Sequence, residues 1–370
     1  MEKVREIWQK LIDQYSNKSF YEVLKTSTLI NDHEKINLFG ALGIGSGGFS
    51  PLFQIEFMEI LRLLANGYLD DQILIRNGVS EFAKRMFHLK VSSPLGSISL
   101  ADTNCLHLNL PVVTMDYNTE TRNPIIMVKN PKGEIYQEEF DAVIYTGSMC
   151  TAHLINLTGK TRQGVYLLED KVRAAVKISP MIASSKTFIC TKSKFWIDKK
   201  MPQCLLTDDL PRAIYFLDYP QTKFGVVCLS YTWGMDAMKL HAVEPKDRVV
   251  MFKRVIEEIS GNANQYLKPL NDEVISIDWI NEKYQNGAFK LLSPGMGPGQ
   301  QALYFQFQSV KTADDKGIYI AGDSVSWSGG WVEGALYTAL NAIYAVGKRF
   351  GAEIPPGTPL DQNPDLYYYG

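Results

Sequence analysis

The sequence predicts an α/β protein built from two interleaved parts, and three features of its pattern predict it. Residues 1–66 carry apolar side chains at helical spacing. Residues 90–146 break into short β-rich runs divided by Asn, Pro and Gly. Residues 317–346 read as a buried strand, a small-residue loop and a helix. Strand and helix patterns mixed in this way belong to layered α/β architectures.

The elements follow in order. Val4, Ile7, Trp8, Leu11, Ile12 and Tyr15 recur at helical spacing and predict an opening amphipathic helix. Ser19 with Glu22 forms a capping box for a second helix. Ser50 fits an N-cap and Pro51 the first position of a long helix that reaches Asn66 and stops at Gly67. Residues 80–88 read as another short helix. VVTMDY, PIIMVKN and EIYQEEF read as strands, and Phe140–Gly147 as a buried one. TFICT, AIYFLDY and GVVCLSYTW are further strands, and DRVVMFKRVIEEISG is a helix. Gly317–Asp323 is a buried strand ending in Gly-Asp, followed by a helix from near Trp331 to Val346 with Gly347 as its stop. The tail from Pro355 onward is Pro-rich and reads as extended, and the sequence shows no internal repeat.

Composition excludes several classes. Hydrophobic residues make up 45% of 370, enough for a sizeable core, and the net charge of -2 gives no nucleic-acid footprint. No apolar run approaches the roughly 20 residues that span a bilayer, and the N-terminus lacks the apolar region of a secretory signal. A cytoplasmic location is the resulting expectation. The five cysteines (Cys105, Cys150, Cys190, Cys204 and Cys228) form no C-x-x-C pair and read as free, mostly buried thiols. The five histidines show no ligand spacing, so no metal site is expected. Lys192, Lys194, Lys199 and Lys200 read as a solvated basic face.

The terminal strand–loop–helix carries the chemistry. A small-residue turn at a helix N-terminus lets backbone N–H groups approach a ligand, and the helix dipole there favours negative charge. Gly329 and Gly330 remove side-chain bulk at the approach, and Asp323 at the strand end is placed to bind a sugar hydroxyl. An ordinary strand-to-helix connection has the same spacing. Gly43–Gly48 matches G-x-G-x-x-G, but a dinucleotide fingerprint needs a strand before it and a helix after it, and a polar, helix-like stretch precedes this one. It therefore does not read as a dinucleotide-binding loop.

Ala321-Gly322-Asp323 followed by Gly329-Gly330-Trp331-Val332-Glu333-Gly334-Ala335 resembles the closing FAD motif of the flavin amine oxidases, most of all the tryptophan 2-monooxygenase branch. The resemblance continues through Ser184–Phe188, Lys194–Ile197, Tyr215–Tyr219, Leu229–Trp233, Asp278-Trp279 and Gly287–Lys290, and also through FGALGIGSGGFSPLF, ILRLLANG and Asn363-Pro364. These strings fall in the family's order over nearly all 370 residues. The resemblance implies FAD as cofactor, with Gly322 and Asp323 at its ribityl or phosphate part. It places the amides of Gly330, Trp331, Val332 and Glu333 against the pyrimidine edge of the flavin, with Trp331 also facing the substrate. Lys186, alone an ordinary surface lysine, becomes the residue that holds a water at flavin N5 and promotes reaction with oxygen. Tyr231 and Trp279, otherwise core aromatics, line the substrate cavity, and flat rings there suit an indole or phenyl side chain.

The implied fold is an incomplete FAD-binding domain of the glutathione-reductase-like Rossmann type, residues 80–155 and 299–350. It is interleaved with an α+β substrate domain, residues 1–79 and 156–298, and followed by a tail, residues 351–370. The implied activity is oxidation of an L-amino acid by O2, either to an amide with decarboxylation or to a 2-oxo acid. The substrate and the choice between these outcomes stay open. The sequence lacks the family's strand–GxGxxG–helix and its arginine-bearing segments. A partner chain supplying the GxGxxG segment is therefore expected, because the pyrophosphate of FAD is otherwise without its helix N-terminus. A truncated sequence, or a non-catalytic binding subunit that kept the fold, are the other readings.

Overall fold

The computed structural model describes residues 2–30, 32–43, 48–67, 73–94 and 96–364. Its centre is a five-stranded antiparallel sheet in the order Val274–Asp278, Ser184–Thr191, Gly225–Trp233, Ala213–Leu217, Cys204–Leu206. The three strands read from TFICT, AIYFLDY and GVVCLSYTW are all present, and burial alternates through most of Ser184–Thr191 while Val227–Ser230 are buried on both faces. The Pro245–Ser260 helix covers one face, packing Val249, Phe252 and Ile256 onto Ile214, Val227 and Leu229.

A second region holds the parallel pair Val143–Tyr145 and Ile318–Ile320, the antiparallel sheet of Val112–Asn118, Asn123–Lys129 and Ile135–Glu139, and the Val332–Arg349 helix. Ile318, Tyr319 and Ile320 are buried as expected. Phe140–Gly147 differs from its buried reading: only Val143–Tyr145 is strand, and Ile144 is 37% exposed. That strand pairs with Ile318–Ile320 alone among the described residues, so one edge gains no cover.

The N-terminal helices Glu2–Tyr15, Phe20–Thr26, His33–Leu42 and Phe57–Ala65 form a lobe, and the Ser19–Glu22 capping box has both of its hydrogen bonds. The predicted long helix from Pro51 to Asn66 is interrupted. A 3-10 turn, Ser50–Leu52, is followed by extended backbone at Glu56 before the Phe57–Ala65 helix begins. Tertiary hydrogen bonds override helix propensity there: Phe20 and Tyr21 donate to the carbonyls of Ile55 and Phe53, and Glu56 donates to Leu292. The lobe's core also takes in Ile182, Trp233 and Leu291, which joins it to the sheet.

Further corrections concern single residues. The last helix runs through Gly347 to Arg349, and Gly351, with φ +77°, lies just past its end instead. Lys194 is no solvated residue, since its ammonium lies 2.5 Å from Asp218 and 2.7 Å from the carbonyl of Tyr219. The five thiols are free, but Cys105 and Cys190 are exposed and only Cys228 is buried. Of the Gly43–Gly48 stretch, residues 44–47 lie outside the described residues. Gly43 caps a helix rather than following a strand, as the rejection of a dinucleotide fingerprint requires. No helix among the described residues is long and apolar enough to cross a membrane.

Candidate active site

Lys186 sits in the Ser184–Thr191 strand, directly opposite Tyr231 of the Gly225–Trp233 strand. A one-residue bulge makes this pairing. Cys228 faces Phe188, but Ser230 faces Thr187, so Leu229 is extra and everything after it shifts by one. Without the bulge Ser230 would face Lys186. With it, the Lys186 ammonium lies 4.2 Å from the centroid of the Tyr231 ring, a cation–π contact. Burial lowers the pKa of Lys186 from the usual lysine value, and Cys228 opposes this only as a thiolate. Burial pushes Cys228 itself up to about 12, so it is a neutral thiol and supplies no counter-charge. The Tyr231 hydroxyl is also shifted upward by burial.

Tyr231 and Trp233 are two residues apart and share a strand face, with ring centroids 5.2 Å apart. Trp233 meets Phe289 edge-on at 6.1 Å. Phe289 lies beneath Gly330, where an added Cβ would sit 3.2 Å from the Phe289 Cβ. A row of three aromatic rings thus connects Lys186 to the glycine turn. Trp279 opens the 3-10 turn after the Val274–Asp278 strand, and its carbonyl accepts from Gly287 N–H at 3.1 Å; no ring contact ties it to this row among the described residues. The sequence reading did not give Trp233 and Phe289 site roles. The signal was present, since Trp233 follows Tyr231 at strand spacing and Phe289 lies in the Gly-Ala-Phe-Lys string.

Ser185 and Asp278, each one residue before a predicted site residue, are tied together. Ser185 Oγ donates to Asp278 at 2.6 Å, and the Arg248 guanidinium spans both oxygens of Asp278 at 2.7 and 3.0 Å. Burial pushes the Asp278 carboxyl up, but the Arg248 and Ser185 hydrogen bonds outweigh it and hold the group below the usual range.

The turn itself is built from close backbone approaches. Gly322, at φ +132°, receives and gives hydrogen bonds through the Thr338 hydroxyl. The Asp323 carboxylate accepts from Gly330 N–H at 2.8 Å, closing the Ser/Trp/Gly loop on itself. Gly330 has φ +81°, which a side chain would strain. A Cβ on Gly329 would lie 2.3 Å from the Lys290 carbonyl, so that glycine serves packing inside the protein. Trp331 then occupies the N-cap of the Val332–Arg349 helix and gives it no side-chain hydrogen bond. Trp331 is half-buried, while Val332 and Glu333 are exposed. First-turn amides without a side-chain cap, at the positive end of an 18-residue helix, suit an anionic or acceptor-rich ring edge. The residues present therefore fit the pyrimidine edge of a flavin. Two open clefts, of about 710 and 690 Å³, contain none of the predicted site residues.

This geometry, an N-terminal helix edge facing a lysine-bearing sheet across aromatic side chains, accompanies a clear family match. The chain belongs to the flavin containing amine oxidoreductase family, whose pattern matches residues 23–346. It is similar to the tryptophan 2-monooxygenase of Pseudomonas savastanoi, at 36% identity over 380 residues, covering 98% of this chain and 65% of that protein. It is also similar to the tryptophan 2-monooxygenase of Rhizobium radiobacter, at 36% identity, covering 90% of this chain and 43% of the relative. The chain thus spans 65% or less of the length of these two relatives. Among solved structures it shares its fold with putrescine oxidase bound to putrescine, with TM-score 0.64, 14% identity, and coverage of 91% of this chain and 69% of that one. Cyclohexylamine oxidase from Brevibacterium oxydans IH-35A matches with TM-score 0.56, 14% identity, and coverage of 91% and 68%.

Proposed function

We propose that this chain is the substrate-side and flavin-capping portion of an FAD-dependent enzyme that oxidises an L-amino acid with an aromatic side chain. The single observation that carries the reading is the aromatic row joining the Lys186 ammonium to the turn at Gly330. Bound FAD would supply the acceptor for the hydride of the substrate α-carbon and the route by which its electrons reach O2. The protein's part is positional and electrostatic. Lys186 keeps a cation beside the place where oxygen acquires negative charge. Tyr231, Trp279 and Trp331 are the walls against which a flat side chain stacks. Amides at Trp331, Val332 and Glu333 hold the electron-rich ring edge, Gly330, whose own N–H is taken by Asp323, leaves the approach free of a side chain, and Gly322 and Asp323 serve the ribityl or phosphate part.

Similarity to two tryptophan 2-monooxygenases favours tryptophan as substrate and oxidative decarboxylation to indole-3-acetamide, an auxin-type product. The two-part domain division given above and a cytoplasmic location belong to the same reading.

A partner chain carrying the GxGxxG segment completes the site. Val332, Tyr337, Leu340 and Ile343 on the last helix and Phe350 at its end are exposed, and the Val143–Tyr145 strand has an unpaired edge among the described residues. Parallel sheets are stable when covered on both faces, and a strand–helix unit fits this surface. The test is co-expression with the GxGxxG-bearing segment of a relative, followed by product analysis with L-tryptophan, L-phenylalanine and L-lysine. A yellow complex that forms indole-3-acetamide is the expected result, and Lys186→Met is expected to slow reoxidation by O2 at least tenfold while leaving flavin reduction in place. A stable, colourless complex would overturn the reading and identify a binding subunit.

A further inference from the structure

Four ionisable side chains are buried together near the Ser326–Trp331 loop. Glu56, Glu59, Arg62 and Lys290 are 2%, 7%, 3% and 0% exposed. Glu59 stands at the centre. Its Oε1 accepts from Arg62 Nη1 at 3.2 Å, and its Oε2 lies 3.6 Å from the Lys290 ammonium. The two cations then brace one loop from two directions. Arg62 lies 4.8 Å over the ring of Trp327. The Lys290 stem runs under Gly329, where an added Cβ would meet its Cε at 2.9 Å. Glu56 adds a backbone tie, donating to the Leu292 carbonyl at 2.8 Å.

Buried charges in this number are costly unless they pair, and ordinary packing would place apolar groups there. Burial drives Lys290 toward its neutral form, while Glu59 and Glu56 pull it back toward the cation and Arg62 does not. Both partners of Glu59 reach the same short loop, one residue and three residues ahead of Gly330.

We propose that Glu59 and Lys290 are positioning residues that set the Gly329–Trp331 turn, fixing the height of its amides from the Phe57–Ala65 helix. The inference rests on the reading above only in taking that turn as the seat of the cofactor.

The experiment compares the full chain with its Lys290→Met variant by amide hydrogen exchange, without FAD. Methionine keeps the apolar stem under Gly329 and removes the ammonium. Exchange at Ser328 and Gly330, whose N–H groups donate to Ser326 Oγ and Asp323, is expected to rise at least tenfold, with the Ser184–Thr191 strand unchanged. If the single variant loosens everywhere, Glu59→Leu with Lys290→Met removes both charges together, and the same local criterion applies to it. Equal exchange at Ser328 and Gly330 in wild type and a folded variant overturns the proposal. In the complemented, FAD-loaded complex the variant is expected to shift the visible flavin absorption maxima, which a general loss of stability leaves in place. Local loosening in a chain that never takes up FAD would keep the positioning role and sink the proposed function. FAD uptake with unchanged exchange would do the reverse.

Discussion

Replacing Arg248 by methionine tests the scaffold behind Lys186 and Trp279. Arg248 is 2% exposed and makes four hydrogen bonds to three partners: two to Asp278, one to Ser185 Oγ at 3.2 Å and one to the Val243 carbonyl at 2.8 Å. Asp278 ends one strand and Ser185 lies near the start of its neighbour, so this guanidinium ties together the two strand ends that carry the site residues. Deleting one partner of a buried ion pair leaves the other charge uncompensated, at about 3–5 kcal/mol. The Asp278 side chain is 15% exposed, so water relieves part of the penalty and the lower end, about 3 kcal/mol, is expected. For a chain of this size that corresponds to a fall in Tm of about 4 °C. Urea denaturation is the assay, run on Arg248→Met, Asp278→Leu and the double variant. The double is expected to recover at least half of the loss, because an apolar pair of similar volume replaces the ion pair. A single variant within about 1 kcal/mol of wild type, or a double no better than the single, would refute the reasoning.

Two other predictions follow from the same geometry. Burial raises the Glu56 carboxyl from 4.5 to about 7, so the folded chain holds a proton that the unfolded chain releases over that window. Stability is therefore greatest below pH 4.5 as far as this group is concerned and falls as pH rises through about 7, by about 3 kcal/mol in all. Urea midpoints at pH 5 and pH 8 check it, and Glu56→Gln is expected to flatten the difference. Gly334→Ala places a Cβ 2.3 Å from Ser326 Oγ and 2.4 Å from the Ser328 carbonyl. The backbone carbonyl cannot rotate away, so a loss of about 1–3 kcal/mol is expected in the denaturation midpoint, with reduced FAD content in the complemented complex.

Three of the five strands of the central sheet were legible from their β-branched and aromatic runs, while the short edge strands Cys204–Leu206 and Val274–Asp278 were not. The meeting of Lys186 with Tyr231 was not, because a single bulged residue at Leu229 decides it and a bulge leaves the alternation on either side intact. The same holds for the break before Phe57. Ser50-Pro51 is a sound helix start, but hydrogen bonds from the N–H groups of Phe20 and Tyr21, and from Glu56 N–H to the Leu292 carbonyl, claim the backbone in between. Glu56, Glu59 and Arg62 are spaced three apart, the pattern of a solvated ion-pair stripe. Only the return of Lys290 and Trp327, more than two hundred residues later, buries them.

Much of the site's geometry turns on the two-residue strand Phe289–Lys290. It pairs with Met181–Ile182, just before the strand of Lys186. Phe289 touches Trp233 on one side and underlies Gly330 on the other, while Lys290 underlies Gly329 and reaches Glu59. The turn proposed to hold the flavin is therefore braced by the sheet and the N-terminal lobe as well as by Asp323 at the end of the parallel pair. Under the proposed function a complementing GxGxxG segment would anchor the distal part of FAD, since Lys186, the aromatic row and the glycine turn are all residues of this chain. Complementation by segments from different relatives should accordingly change how tightly FAD binds, measured by titration, more than which amino acid the complex oxidises. A substrate preference that followed the donor of the segment would show that the walls of the cavity lie elsewhere.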